Sequence, residues 1–276
     1  MTPLLSVIVT AGVASAFALA ASLATQDYSW VDRSWSILPV IYVVELASWA
    51  HLRDPRLDIM GFAVLVWGVR LTFNFARKGG YSGVEDYRWA VLRSRMSRWQ
   101  FQMFNLFFIV IYQNVILVVI ALPAWTAYQH RSDSYGALDA LLALFFLACT
   151  TGEAIADQQQ WHFQCWKANE VSAGRTPDPQ FLQEGLFKFS RHPAYFFEVA
   201  QWWLLFLMGA SAAASLRQWT VLGALLLTLL FVGSTRFTES ITLSRYPEYA
   251  LYQQRTSAIL PWPPRHPSPA STVSTD

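Results

Sequence analysis

The sequence predicts an all-α, polytopic membrane protein of about seven transmembrane helices. Composition is the first reason: 54 % of the 276 residues are hydrophobic and 14 % charged, above and below ordinary soluble usage respectively. The second is seven apolar stretches long enough, or nearly so, to cross a hydrocarbon layer of about 30 Å as helices. They fall at 4–24, 35–50, 57–76, 104–128, 137–156, 194–213 and 219–237. The third is the placement of the twenty Lys and Arg. With the N-terminus outside, fifteen lie in loops on the cytoplasmic side, four on the other, and Arg70 lies within a stretch. That bias orients the chain N-out and C-in.

The first stretch lacks a basic start and exceeds a signal-peptide core, so it is expected to be a retained helix. The second is the shortest. Residues 77–103 then form a basic, aromatic loop. Within it "VEDYRWAVLRSR" reads as a short interfacial helix with Glu85 and Asp86 near its start, where the helix dipole favours anions. The fifth stretch continues past the membrane as "DQQQWHFQCWKANE" and breaks at the Gly/Pro-rich "VSAGRTPDPQ". Residues 1–262 are expected to form one membrane-embedded domain, with 1–103 more on the substrate side and 137–262 more on the cofactor side. The Pro/Ser/Thr-rich tail, 263–276, is expected to be disordered. Thirteen Trp and eleven Tyr suit interfacial belts. Cys149 and Cys165 are not spaced as a metal or redox pair and no HExxH occurs, so neither metal nor disulfide is expected.

Polar residues inside the stretches carry the functional argument, because a bilayer tolerates them mainly when they face one another or a cavity. Glu153, Asp157 and Gln160 share one helix face, and Arg236 and Glu239 a second. The densest segment is "GLFKFSRHPAYFFEVAQWW", 185–203. Pro193 suits the first turn of a helix, Ser190, Arg191 and His192 precede it, and Glu198 follows one turn in. Helix-start amides beside two potential cations read as an anion site, or as a basic interfacial anchor.

"GLFKFSRHPAYFFE" resembles the signature of the membrane reductase superfamily of steroid 5α-reductases and sterol reductases. The bacterial 5α-reductase-like set is the nearest in pattern, through Asp32 and Trp35, "EDYR" at 85–88, Asp157 and Gln160, and the C-terminal "RYPEY…TSAILPW". Isoprenylcysteine carboxyl methyltransferases carry a related Arg-His-Pro-x-Tyr segment. Ala194 stands where the family commonly has Asn, so that amide contact is not carried over. The resemblance implies NADPH as cofactor, in a bacterial inner membrane, held from the cytoplasmic side without a GxGxxG fold. The residues expected to hold it, from the matched motifs together with the basic loops and polar helix faces, are Asp32, Arg33, Arg70, Arg77, Lys78, Glu85, Asp86 and Arg88, then Glu153, Asp157, Gln160, Ser190, Arg191, His192, Tyr195, Glu198, Arg236, Glu239, Tyr246 and Tyr249.

The reaction implied is reduction of the 4,5 double bond of a 3-oxo-4-ene steroid or similar apolar enone that enters from the bilayer. Glu45, about ten residues into its stretch and roughly 15 Å deep, is the expected acid that polarises the carbonyl, with Tyr87 as its phenol partner. A carboxyl in lipid is expected to stay protonated and to donate a hydrogen bond. Two other classes stay open: a carboxyl methyltransferase using S-adenosylmethionine, which needs fewer cations, and a non-catalytic lipid-binding membrane protein. Membrane lipid is an expected partner and nucleic acid is not.

Overall fold

Helix starts in this chain are set by side-chain caps and prolines. α1 (Pro3–Thr25) begins with Pro3 in its first turn and Thr2 as cap, whose hydroxyl accepts the Leu5 N–H. A short α2 (Trp30–Ser34) follows. α3 (Leu38–Trp49) has only 12 residues, a rise of about 18 Å. The turn at Trp35–Ile37 replaces what was expected as its first helical residues, with Ile37 N–H donating to Ser34 O. α4 (Pro55–Arg77) is capped by Asp54, which accepts from Leu57 N at 2.9 Å. In the computed structural model, residues 1–131 and 135–265 are described. The tail expected at 263–276 lies outside the described residues from 266 onward.

The interfacial helix expected at 84–95 is α5 (Tyr87–Arg95), capped by Asp86. α6 (Arg98–Phe104) opens with a capping box between Ser97 and Gln100. It runs into a π-helical segment, Asn105–Tyr112, then α7 (Gln113–Ala121) and α8 (Pro123–Gln129). Phe104, Phe108 and Tyr112 stack along this rod, with ring centroids 4.8 and 5.3 Å apart. α9 (Ala137–Ser172) has 36 residues, about 54 Å. It therefore projects well beyond a bilayer, as expected, and ends before Gly174 at φ +74°. α10 (Pro193–Ala212), α11 (Val221–Arg245) and α12 (Tyr249–Arg255) complete the chain. Among the described residues there is no strand, only an isolated bridge between Ser190 and Ser257.

Among the described residues, five helical rods are long and apolar enough to cross a membrane: Pro3–Thr25, Pro55–Arg77, Arg98–Gln129, Ala137–Ser172 and Val221–Arg245. The chain is thus an all-helical membrane protein, with five such spans in place of the seven expected. α3 is too short. α10 has 20 residues, but Glu198, Gln201 and its Tyr and Trp side chains make it less apolar.

By packing, the chain divides into two units, Met1–Ala148 with Gln201–Leu227, and Cys149–Ala200 with Thr228–Asp276. In the first, α3 is central and touches α1, α4, α7 and α8. Its core holds Tyr42, Leu46, Leu57, Met60 and Trp67, all fully buried, with Trp67 edge-on to Trp202 at 4.9 Å. Arg56 and Asp139 form a buried two-pronged pair at 3.0 and 2.9 Å. In the second unit Phe181 is ringed by Tyr246, Tyr249 and Tyr252, and Gly152 lies under the Phe197 ring.

Backbones in the first unit approach through glycine, as in other membrane bundles. A Cβ on Gly223 would lie 2.3 Å from Val119 O, and one on Gly209 2.6 Å from Pro123 O. Gly223→Ala and Gly209→Ala are each expected to destabilise by about 1–3 kcal/mol through overpacking. Gly12→Ala, with nothing within 4 Å of its Cβ, is expected to be neutral. Thermal unfolding in nanodiscs checks this, and equal Tm values for the three variants would disprove the close approach.

Candidate active site

Glu45 sits seven residues after the start of α3 and four before its end, about 6 Å from the C-terminal end of the helix. It lines a cavity of about 510 Å³ together with Ser48, Trp49, Ala50, His51, Tyr128 and Arg131. That volume is within the range of small-molecule sites. Its carboxylate accepts from Thr10 Oγ1 at 3.3 Å. Tyr42, one turn before it, is fully buried, and its hydroxyl has no hydrogen-bond partner among the described residues. Trp49 Nε1–H donates to Ser6 Oγ at 3.0 Å, fixing the indole at the rim. Tyr87 is elsewhere, at the start of α5 and 52 % exposed. The phenol that shares the cavity with Glu45 is Tyr128.

A second cluster joins α2 to α5. The Trp89 indole donates to Asp32 Oδ2 at 2.8 Å and Ser29 Oγ accepts from Asp86 N. Arg88 is clamped to Asp86 at 2.9 and 2.8 Å, Arg93 to Glu85 at 2.7 Å, and Arg33 to Asp27 at 2.5 Å and Gly80 O at 2.9 Å. Each cation expected on a phosphate here thus already holds a protein acceptor. Burial pushes the Asp32 carboxyl up to about 6, against the opposing pull of Arg88 and the Trp89 hydrogen bond. On α4, Arg77 donates to Asn74 Oδ1 at 3.0 and 2.8 Å. Arg70 lies half-buried and Lys78 exposed at the helix end.

The second unit is built around Glu239. Its Oε1 accepts from Arg191 Nε at 2.6 Å, Tyr249 OH at 3.3 Å and His192 Nε2, in the tautomer protonated there, at 3.1 Å. Its Oε2 accepts from Arg191 Nη2 and Gln253 Nε2, both at 2.9 Å. Arg191 Nη1 donates to the carbonyls of Gln253 and Thr256. The backbone extends the clamp: Arg191 N–H to Ser257 O at 2.8 Å, His192 N–H to Ala258 O at 3.0 Å, Ser190 Oγ to Ile259 O at 2.7 Å. Burial alone would lower the Arg191 pKa, but the Glu239 carboxylate raises it and holds the guanidinium charged. Burial, then the charge of Glu239, pushes the Tyr249 phenol up. The anion site read from "SRHP" is therefore filled by the chain's own carboxylate. Tyr195 stacks on His192 at 5.2 Å, and Tyr246 OH accepts from Lys167 at 3.1 Å.

Glu153, Asp157 and Glu198 are buried and Gln160 is half-buried. Arg236 does not share the inward face of Glu239: it is exposed while Glu239 is buried. For a dinucleotide the test is which cations a phosphate can reach. Exposed cations of the second unit include Lys188, Arg236, Arg245 and Arg255, whereas Arg191 is held by Glu239. Sequence reasoning missed His51, Tyr128 and Arg131, which lie in or beside turns with no motif. It also missed Gln253 as a ligand of Glu239, although the "TSAILPW" strap beyond it was noticed.

A family profile described as "Protein of unknown function (DUF1295)" matches residues 17–256. The chain belongs to the DUF1295 family. An uncharacterized protein of Schizosaccharomyces pombe, C594.04c, is 35 % identical over 256 residues, covering 87 % of this chain and 74 % of that protein. No solved structure matches. The family match spans α2, the Glu45 cavity and the Glu239 hub, and stops at Thr256, where the clamp on Arg191 begins its backbone part.

Two expectations follow for this DUF1295 protein. Arg191→Ala leaves Glu239 buried without its main partner, a loss of about 3–5 kcal/mol. Thermal unfolding should show a large drop, and adding Glu239→Gln should recover part of it, since the pair is coupled. An unshifted Tm with weakened dinucleotide binding would instead return Arg191 to anion binding. The second concerns pH. The folded state holds the Asp32 proton more tightly than the unfolded chain, so stability is greatest with the proton on and falls as pH rises from about 4 to about 6. Asp32→Asn keeps an acceptor for Trp89 and should flatten that slope and raise Tm at neutral pH. An unchanged Tm–pH curve would show that Asp32 does not titrate there.

Proposed function

We propose that this protein is an NADPH-dependent reductase of an apolar enone, with steroid-like 3-oxo-4-enes as the model substrate. Glu45 on the wall of a cavity near the end of a membrane-embedded helix carries the reading. A carboxyl facing lipid has no purpose there, whereas one facing a ligand-sized cavity can polarise a carbonyl. The resemblance of the 185–203 segment to the reductase superfamily adds support.

NADPH, when bound, supplies the hydride. The chain's own residues do the rest. Glu45 donates to the substrate carbonyl as negative charge gathers on its oxygen, and Tyr128 in the same lining takes the role first expected of Tyr87. The β-carbon receives hydride and the neighbouring carbon receives a proton from water. The closure of Arg33, Arg88 and Arg191 on protein carboxylates also favours a second reading, an S-adenosylmethionine-dependent carboxyl methyltransferase, because that cofactor carries no phosphate.

Ligand-induced stabilisation separates the two. NADPH should raise Tm and S-adenosylmethionine should not, and NADPH oxidation should depend on added 3-oxo-4-ene steroid. Glu45→Gln should lose about a hundred- to a thousandfold in kcat with the NADPH shift intact. A shift with S-adenosylmethionine alone, or normal turnover by Glu45→Gln, would reject this mechanism.

A further inference from the structure

The charged side chains of the Glu45 cavity differ from every cluster described above in being largely unengaged. Glu45 accepts one long hydrogen bond, from Thr10. The His51 ring makes no hydrogen bond among the described residues. Arg131 donates Nη1 to Tyr128 O at 2.9 Å and rests over the Tyr128 ring at 4.4 Å, which leaves Nε and Nη2 without an acceptor among the described residues. The guanidinium is thus oriented from behind and open in front.

The backbone that presents His51 is strained. His51 and Leu52 have φ of +59° and +52°, left-handed values that cost a non-glycine residue about 1–2 kcal/mol. Two successive bonds hold the turn, His51 N–H to Ser48 O at 2.9 Å and Leu52 N–H to Ala47 O at 3.1 Å. The Leu52 bond back to Ala47 closes the C-terminus of α3 in a left-handed cap, and that cap is what turns the His51 side chain to the cavity rim. His51, Arg131 and Trp49 are exposed at that rim, while Glu45 and Tyr128 are half-buried. The cavity therefore carries a guanidinium and an imidazole at its mouth and a carboxyl on its wall, beside an indole of the kind that sits at a membrane interface.

We infer that this cavity takes a carboxylate-bearing amphiphile, its acid group held at the rim by Arg131 and His51 and its apolar, carbonyl-bearing body lying inward toward Glu45. This deepens the reductase reading and rests on it for the reaction: the preferred substrate is an acidic enone, not a neutral one. The open face of Arg131 matches a carboxylate, which a guanidinium binds in two-pronged fashion. A phospholipid headgroup offers similar anionic chemistry at the same depth, so the test separates the two.

The probes are 3-oxoandrost-4-ene-17β-carboxylate and its neutral methyl ester, titrated without NADPH onto the full chain in phosphatidylcholine nanodiscs. The acid should bind about tenfold or more tightly than the ester. Arg131→Gln, at an exposed position that should not disturb folding, should abolish the preference and leave ester affinity unchanged. His51→Gln should reduce it. Equal binding of acid and ester by the parent protein, or a preference retained by Arg131→Gln, overturns the inference. So does loss of the preference on moving to phosphatidylglycerol nanodiscs, which would assign the rim to lipid. Arg131-dependent acid binding without NADPH oxidation would bring down the reductase reading alone. Turnover of acid and ester with equal KM would bring down this inference alone.

Discussion

A charge within a lipid-embedded helical bundle must find its counter-charge within the chain. Water is absent to solvate it, and an uncompensated buried charge costs several kcal/mol. Each unit is arranged around that requirement. In the first, Arg56 and Asp139 meet with side chains only 4 % and 2 % exposed, and Gly136 N–H donates to the same carboxylate at 2.9 Å. In the second, five hydrogen bonds converge on Glu239. Such pairs add little net stability over apolar packing, but breaking one is expensive. They therefore fix which segments lie together, here the "SRHP" segment and the strap that follows α12.

Neutralisation also sorts the cations by availability. A guanidinium held at both edges, as Arg191 is, cannot grip a phosphate without releasing its carboxylate. Arg33, Arg88 and Arg93 are engaged in the same way on the α2–α5 side. Groups open to a ligand are then those that the fold leaves without a strong protein partner among the described residues. Arg131 meets that description beside Glu45 and His51 at one cavity, and Lys188, Arg236, Arg245 and Arg255 stand on exposed positions of the second unit.

Sequence periodicity read the helices well where a single physical rule governs them. Apolar length placed α1, α4, α9 and α10 within a residue or two at their starts, and Asp86 near the head of α5 followed from the helix-dipole preference. It did worse at 35–50. A run of apolar residues says nothing about the turn at Trp35–Ile37, where Ser34 O takes the Ile37 amide and shortens α3. The π-helical segment was invisible for a related reason: it differs from an α-helix in which carbonyl each amide selects, and no local composition dictates that.

The sequence alone determined the membrane class, the all-helical character, and the concentration of polar chemistry at 185–203. Each depends on composition or on residues within a few positions of one another. Tertiary structure alone decided what those polar groups do. Arg191 and Glu239 are 48 positions apart, and only folding makes the carboxylate the occupant of the site that the arginine seemed to offer a ligand. Glu45, His51, Tyr128 and Arg131 come together from two segments with no shared motif. Their spacing in the chain carries no signal, because a cavity wall is chosen by where helices end and pack.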